Sequence, residues 1–296
     1  DVWPDYPSYG RKITIKHLLS HTSGLLSYED FVPDSQTRQV KDAEVLAMMK
    51  HTDSTYFAPG TQWRYSNTGY ALLSEVVAKR AGTPFAAFLR TRVFTPLGMH
   101  KTVAFENGAS TVAFRAFGHS QKNGVWSQTD QSSTSAVLGD GGVYSSVDEL
   151  YRWDQALYTN ELLPADLLKQ AFTATTLSDG KKTEYGLGWY VDAYRGLARL
   201  RHTGTSRGFR TAITRIPGHR AVIIILTNRS DGDPQLLADR ITDRLLFTAG
   251  DSRWKTQSVA SNSSCRSVSA VSRLVAWAGC SRGRVFRTTD GGTTWS

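Results

Sequence analysis

The chain has 296 residues, 40% of them hydrophobic and 11% aromatic, and carries a formal net charge of +9. This length and composition fit one large packed domain or two and exclude a disordered chain, while the longest apolar run, Ala221 to Leu226, falls far short of the ~18 residues of a membrane span. Residues 251 to 296 hold seven Lys and Arg against two Asp, which leaves +4 dispersed over the first 250 residues with no basic cluster interleaved with aromatics, so no nucleic-acid partner is expected.

The chain begins at Asp1 without a basic region followed by an apolar stretch, so any signal peptide is expected to have been removed or to lie outside it. In Ile13 to Leu25, His17 and His21 stand at i, i+4 spacing, as zinc ligands on one helix face do, but Leu18 occupies the position where that pattern needs a Glu. Ordinary helix structure is the better reading of these histidines. Pro59-Gly60 marks a turn before Trp63-Arg64-Tyr65-Ser66-Asn67, and Ala71, Leu72, Val76 and Val77 predict an amphipathic helix from Tyr70 to Arg80. Tyr65 and Asn67 therefore sit on a loop at a helix start, where Asn67 either caps the helix or presents its amide to a ligand. Gly139 to Gly142 is a glycine-rich stretch.

From Tyr185 to Asn228 the pattern is that of strands. His202-Thr203-Gly204 is expected to end the strand Leu197 to Arg201, and Phe209 to Ile216 and Ala221 to Leu226 follow with Pro217-Gly218 turning between them. Gly204 to Gly208 spells Gly-x-Ser-x-Gly, a nucleophile elbow, yet an elbow needs strand, turn and helix, and Phe209 to Thr214 alternates like a strand. Leu236, Leu237, Ile241, Leu245 and Leu246 predict a closing helix from Pro234 to Phe247.

The expected domain organisation is residues 1 to 248, a linker at 249 to 253, and a Ser- and Arg-rich tail at 254 to 296. Cys265 and Cys280 fall opposite each other in a hairpin centred on Ser272 and Arg273, and either a disulfide or two unrelated thiols fits the sequence.

Four segments taken together carry a family resemblance. Ile13 to Leu25, with its His21-Thr22-Ser23-Gly24, Tyr65-Ser66-Asn67 as Tyr-x-Asn, Gly139 to Ser146 as Gly-Gly-x-x-Ser, and His202-Thr203-Gly204 as Lys/His-Thr-Gly resemble, in order, the serine beta-lactamase and penicillin-binding-protein family, with its class C enzymes, D-alanyl-D-alanine carboxypeptidases and esterases. The resemblance covers roughly residues 1 to 248. It implies an α/β (α+β) fold of transpeptidase type, helices and loops followed by an antiparallel sheet, an extracytoplasmic location, and no metal or organic cofactor. It also implies a serine hydrolase acting through an acyl-enzyme on an amide, lactam or ester, with a small-molecule or peptide substrate. In that family a Ser-x-x-Lys motif upstream of everything matched here supplies the nucleophile.

The chain is therefore expected to be cut before that motif and to be inactive by itself. Its two Ser-x-x-Lys matches, at Ser178 to Lys181 and Ser252 to Lys255, follow Tyr65, against the family order. The resemblance gives Tyr65 the role of general base and then acid, Asn67 that of orienting lysine and substrate amide, and His202 that of a charged or hydrogen-bonding group for the substrate. Thr203, Gly204 and Thr205 bind substrate, with the Thr205 N–H in the oxyanion hole. The alternative is a non-catalytic peptide or cell-wall binding protein that keeps the family pocket. Arg287 to Trp295 resembles an Asp-box, and one such copy implies a partial blade of a beta-propeller.

Overall fold

In the computed structural model the described residues are 2–247, 265–270, 276–280, 284–290 and 293–296. Contacts divide the chain into two compact units, Asp1–Leu245 and Leu246–Ser296.

The first unit opens with α1 (Ile15–Leu19), started by a capping box in which the Thr14 hydroxyl accepts the His17 N–H and His17 Nδ1 accepts the Thr14 N–H. The helix is over before His21, whose φ of +56° turns the chain, so His17 and His21 do not share a helix face. Next come α2 (Asp42–Lys50), α3 (Asn67–Ala81) and α4 (Phe85–Leu89). Ser66, not Asn67, caps α3: its hydroxyl accepts the Gly69 N–H at 3.2 Å. Gly82, at φ +67°, closes that helix in the left-handed conformation that glycine adopts without cost. Leu18, Leu25, Tyr28, Val40, Val45, Met49, Ala71, Leu72 and Val137 form the core of this helical part.

Short strands follow. β1 (Val103–Ala104) pairs with β4 (Val143–Tyr144), and between them β2 (His119–Lys122) and β3 (Val125–Gln128) make a hairpin. Beyond them, α5 (Val147–Ala156) and α6 (Ala165–Ala171) lead to a four-stranded antiparallel sheet of β5 (Tyr190–Tyr194), β6 (Leu197–Ser206), β7 (Phe209–Ile216) and β8 (Ala221–Thr227), in that order. The closing helix α7 (Pro234–Thr242) runs on as a π-helical turn, Asp243–Phe247, and packs Ala238 and Ile241 on Ile223 and Ile225 of β8. On the α5 and α6 side, Leu157, Leu168, Trp189 and Leu200 form a separate core. A fully buried Arg215–Asp154 ion pair ties β7 to α5 there.

This is the mixed helical and antiparallel-sheet architecture that the sequence predicts, with one correction in the sheet. His202-Thr203-Gly204 does not end a strand: β6 continues to Ser206 because Thr203 and Gly204 pair with Ala212 and Thr211 of β7. As the strand-like alternation after it implies, Gly204 to Gly208 is strand and hairpin turn running into β7 rather than a nucleophile elbow.

In the second unit β9 (Cys265–Ala270), β10 (Ala276–Cys280) and β11 (Val285–Thr288) form a three-stranded antiparallel sheet in the order β11-β10-β9. The register sets Cys265 opposite Cys280, and Cys280 is disulfide-bonded. The Asp290 carboxylate accepts hydrogen bonds from Thr288 Oγ1, the Thr294 N–H and Thr294 Oγ1, closing the loop after β11 on itself. The expected linker, the turn at Ser272 and Arg273, and Ser252 to Lys255 lie outside the described residues.

Candidate active site

The loop that carries Tyr65 is held by the segment that follows α1. The Gly60 N–H donates to Thr22 O at 2.8 Å, the Arg64 N–H to His21 O at 3.0 Å, and the Ser66 N–H to His21 Nδ1 at 3.1 Å. The signature around His21 is thus a scaffold for the Tyr65 loop, and its side chains are occupied accordingly. Ser20 Oγ donates to Lys16 O, and Ser23 Oγ accepts the Leu25 N–H. Because His21 Nδ1 accepts a hydrogen bond, Nε2 carries the proton of the neutral ring, and Nε2 is buried without a partner. The His21 ring lies 4.2 Å from that of Tyr65, 4.6 Å from Tyr185 and 5.0 Å from Tyr70 between ring centres. Burial, reinforced by His202, pushes its pKa down to about 3, so it stays neutral at any physiological pH.

Tyr65 is 39% exposed, and among the described residues no hydrogen bond occupies its hydroxyl. Burial of the phenol, together with nearby Tyr190, Asp140 and Glu29, pushes its pKa up to about 12. Among the described residues no neighbouring charge lowers it. Asn67, in the first turn of α3, donates through Nδ2 to Glu29 Oε1 at 2.7 Å. Glu29 is brought there by Tyr28, whose N–H donates to Thr68 Oγ1 at 2.9 Å.

Asp140 enters the same space from the glycine-rich stretch. Asp42 accepts the Leu138 and Gly139 N–H groups at 2.8 Å each, and this presses Gly139 against α3, where a Cβ would lie 2.2 Å from Tyr70 O. Only glycine fits at that contact. The Tyr28 hydroxyl donates to Asp140 Oδ2 at 2.8 Å. Burial is the main force pushing the Asp140 carboxyl up to about 8; the Tyr28 hydrogen bond opposes it, and the charges of Glu29 and Asp42 add to it.

The other wall is β6. β5 pairs with it only as far as Arg201, so from His202 to Ser206 that edge of β6 has no partner strand among the described residues. Thr203 and Thr205 are exposed, and a Cβ on Gly204 would lie 2.4 Å from Thr211 Oγ1. His202 Nδ1 lies 2.8 Å from Thr203 O, an acceptor, so Nδ1 carries the proton and the Tyr185 hydroxyl donates to Nε2 at 3.1 Å. Burial lowers the His202 pKa, which makes this a neutral hydrogen-bonding imidazole rather than a cation.

The two walls enclose a cleft of about 980 Å³ lined by Tyr28, Glu29, Tyr65, Asn67, Asp140 and His202 through Gly208, with Arg207 and Arg210 at the hairpin end. All six residues expected from the sequence, Tyr65, Asn67, His202, Thr203, Gly204 and Thr205, therefore meet at one cleft. Ser178 and Lys181 do not; they sit in an exposed turn where Lys181 pairs with Asp179. Glu29, Asp140, His21 and Tyr185 were not singled out from sequence as site residues. Of these, Asp140 carries a local signal, a carboxylate set among glycines, and His21 lies in the Ile13 to Leu25 segment that resembles the family, whereas Glu29 and Tyr185 carry none. Among the described residues no cluster of His, Cys, Asp and Glu could hold a metal ion, and no helix is long and apolar enough to cross a membrane.

The Beta-lactamase family profile matches residues 1–246. Penicillin-binding protein 4* of Bacillus subtilis (strain 168) is 33% identical over 247 residues, covering 78% of this chain and 54% of that protein. A D-aminopeptidase of Gluconobacter oxydans (strain 621H) is 27% identical over 243 residues, covering 76% of this chain and 42% of the relative. The chain thus spans about half the length of the curated relatives it matches. The crystal structure of a penicillin binding protein from Bacillus halodurans superposes with a TM-score of 0.67 at 24% identity, covering 80% of this chain and 75% of that one. With its helical layer, its antiparallel sheet and this cleft between them, the chain belongs to the Beta-lactamase family.

Proposed function

We propose that the protein is a serine hydrolase that opens an amide or peptide bond through an acyl-enzyme, and that these 296 residues supply the walls of its cleft but neither the nucleophile nor the lysine that serves it. The observation that carries this reading is the free Tyr65 hydroxyl beside the open edge of β6. A substrate laid along that edge presents its carbonyl to the N–H of Thr205, half of an oxyanion hole, while Tyr65 transfers the proton of the attacking serine to the leaving amine. Asn67 orients the acyl amide, and Thr203 and Gly204 hold the substrate backbone. His202, neutral and fixed by Tyr185, offers a hydrogen bond rather than a charge.

A phenol with a pKa of about 12 is a poor base near neutrality, so the mechanism needs a cation next to Tyr65. No Lys lines the cleft among the described residues. A Ser-x-x-Lys motif from sequence outside this chain supplies both the nucleophile and that cation, and the chain alone is inactive. Amides are favoured over lactams and esters because a D-aminopeptidase is among its relatives. By the same kinship the protein works outside the cytoplasm, and the self-closed Asp290 loop supports reading the C-terminal sheet as one blade of a propeller.

Labelling of the protein with its flanking sequence, using a fluorescent penicillin or a fluorophosphonate, tests the proposal. A stoichiometric adduct on a serine of Ser-x-x-Lys supports it. No adduct favours the second reading, a non-catalytic peptide or cell-wall binder, whose motivating observation is the cleft without lysine.

A further inference from the structure

Tyr185 touches both walls of the cleft. It is only 1% exposed, and its backbone is fixed: its carbonyl accepts the Thr175 N–H at 2.8 Å and its N–H donates to Thr183 Oγ1 at 3.2 Å. Its ring packs on His21, which holds the Tyr65 loop, at 4.6 Å between ring centres, and its hydroxyl donates to His202 Nε2 on the strand wall at 3.1 Å. Burial is the main force raising its pKa, with Tyr70 and Tyr65 adding to it, so this hydroxyl stays protonated at any physiological pH.

What His202 does with its other nitrogen follows from strand register. The two-residue turn Arg207-Gly208 makes Ser206 and Phe209 a hydrogen-bonded pair, and bonded pairs alternate with non-bonded ones along an antiparallel ladder. His202, Gly204 and Ser206 therefore turn their N–H and C=O groups to β7, whereas Thr203 and Thr205 turn theirs to the edge that β5 leaves at Arg201. The Thr203 carbonyl is the first on that edge beyond β5, and His202 Nδ1 meets it at 2.8 Å. Both ring nitrogens are thus engaged. The hydrogen bond that His202 has to give goes to the strand edge itself, just before the Thr205 N–H.

A neutral imidazole has one N–H and two places for it, and the choice is set by what the other nitrogen meets. With the proton on Nε2, Nδ1 and the Thr203 carbonyl would face each other as two acceptors, and the buried Tyr185 hydroxyl would lose its partner. We propose that Tyr185 is a positioning residue of the active site: by donating to Nε2 it holds His202 in the Nδ1–H tautomer, which ties down the Thr203 carbonyl and so fixes the strand edge that presents the Thr205 N–H. This rests on the hydrolase reading, in which that N–H is an oxyanion donor, and deepens it.

The bond is tested first by 15N NMR of the histidine rings in these 296 residues, with the His202 signals identified by their loss in His202→Asn. The unaltered protein should show a protonated Nδ1 and an unprotonated Nε2, and the reverse overturns the inference without any substitution at Tyr185. In Tyr185→Phe the Nε2–H form should grow in, and an unchanged tautomer overturns it as well. The second test is a double-mutant cycle on the protein with its flanking sequence, with phenylalanine p-nitroanilide of either enantiomer as substrate. Tyr185→Phe should lower kcat about 3- to 10-fold with KM little changed, the worth of one neutral hydrogen bond. In His202→Asn, whose side-chain amide has no tautomer to fix, the same substitution should cost nothing further. A Tyr185→Phe loss that persists in full in His202→Asn makes Tyr185 an ordinary core residue and overturns the inference, while leaving a hydrolase in place. If no substrate is turned over and no serine is labelled, the hydrolase reading has failed, and the ring spectra alone decide whether Tyr185 sets the His202 tautomer.

Discussion

The two walls of the cleft are made in different ways. On the helical wall the working groups are side chains gathered from far apart, with Tyr28 meeting Asp140, Glu29 meeting Asn67, and His21 pinning the loop of Tyr65. Burial sets their protonation, downward for His21 and upward for Tyr65 and Asp140. On the strand wall the groups are consecutive residues of β6, and what faces the cleft is an unpaired backbone edge. One wall therefore stores its chemistry in side-chain identity and pays for it in desolvation. The other stores it in strand register and is indifferent to most side chains.

If that contrast is right, the largest effect comes from the helical wall. Tyr65→Phe removes one hydroxyl and should lower kcat/KM of the protein with its flanking sequence by ~10²–10⁴, the usual contribution of a positioned general acid–base group. A loss below tenfold in steady-state kinetics would move proton transfer away from Tyr65 and break the comparison.

Next is the response of stability to acid. The folded pKa of His21 is about 3, below its ordinary value of 6.5, so between these the unfolded state binds a proton that the folded state does not. Stability from this group is present above pH 6.5 and is lost as pH falls toward 3, by up to a few kcal/mol on the scale of ~1.4 kcal/mol per unit. Chemical denaturation from pH 7 to 4 should show that slope, and His21→Gln should flatten it. An unchanged slope in the variant would remove His21 as its cause.

Gly139→Ala tests the seam between α3 and the stretch that carries Asp140. The added methyl would stand 2.2 Å from Tyr70 O and 2.8 Å from Ala71 Cα, both backbone atoms, so the chain has to shift. A destabilisation of ~1–3 kcal/mol is expected in thermal unfolding, the range for overpacked sites. A melting temperature equal to that of the unaltered protein would mean that the seam is loose.

The contrast also accounts for what the sequence made legible. Apolar periodicity located α3, β7 and β8 to within a few residues because each buries one face; it also located α7, although there Leu236, Leu237 and Leu245 are exposed and Ala238 and Thr242 are the buried residues. The short motifs located the strand wall because its residues are contiguous. The helical wall is different: Glu29 and Asn67 are 38 residues apart, and Tyr28 and Asp140 are 112 apart, so no local pattern announces either contact. The premature strand end at Arg201 has a similar origin. His-Thr-Gly looks polar and flexible, and only pairing with β7 keeps it extended. At the start of α3 two capping residue types stand side by side, and periodicity does not choose between Ser66 and Asn67.

The smallest effect should be on the strand wall, and it is the more searching test of the difference between the walls. Thr205 is exposed and pairs with Arg210 across the hairpin, and its proposed contribution is its N–H. Thr205→Ala keeps that N–H and the strand, so kcat/KM should stay within about twofold, as for surface substitutions away from special features. Thr205→Pro removes the donor and should cost on the order of 10²–10³ in kcat, the loss seen when one oxyanion-hole donor is deleted. Because a proline here could also disturb β6, its melting temperature has to be read alongside. If Thr205→Ala is as damaging as Thr205→Pro, the hydroxyl acts on the substrate, and the strand wall, like the helical one, works through side chains.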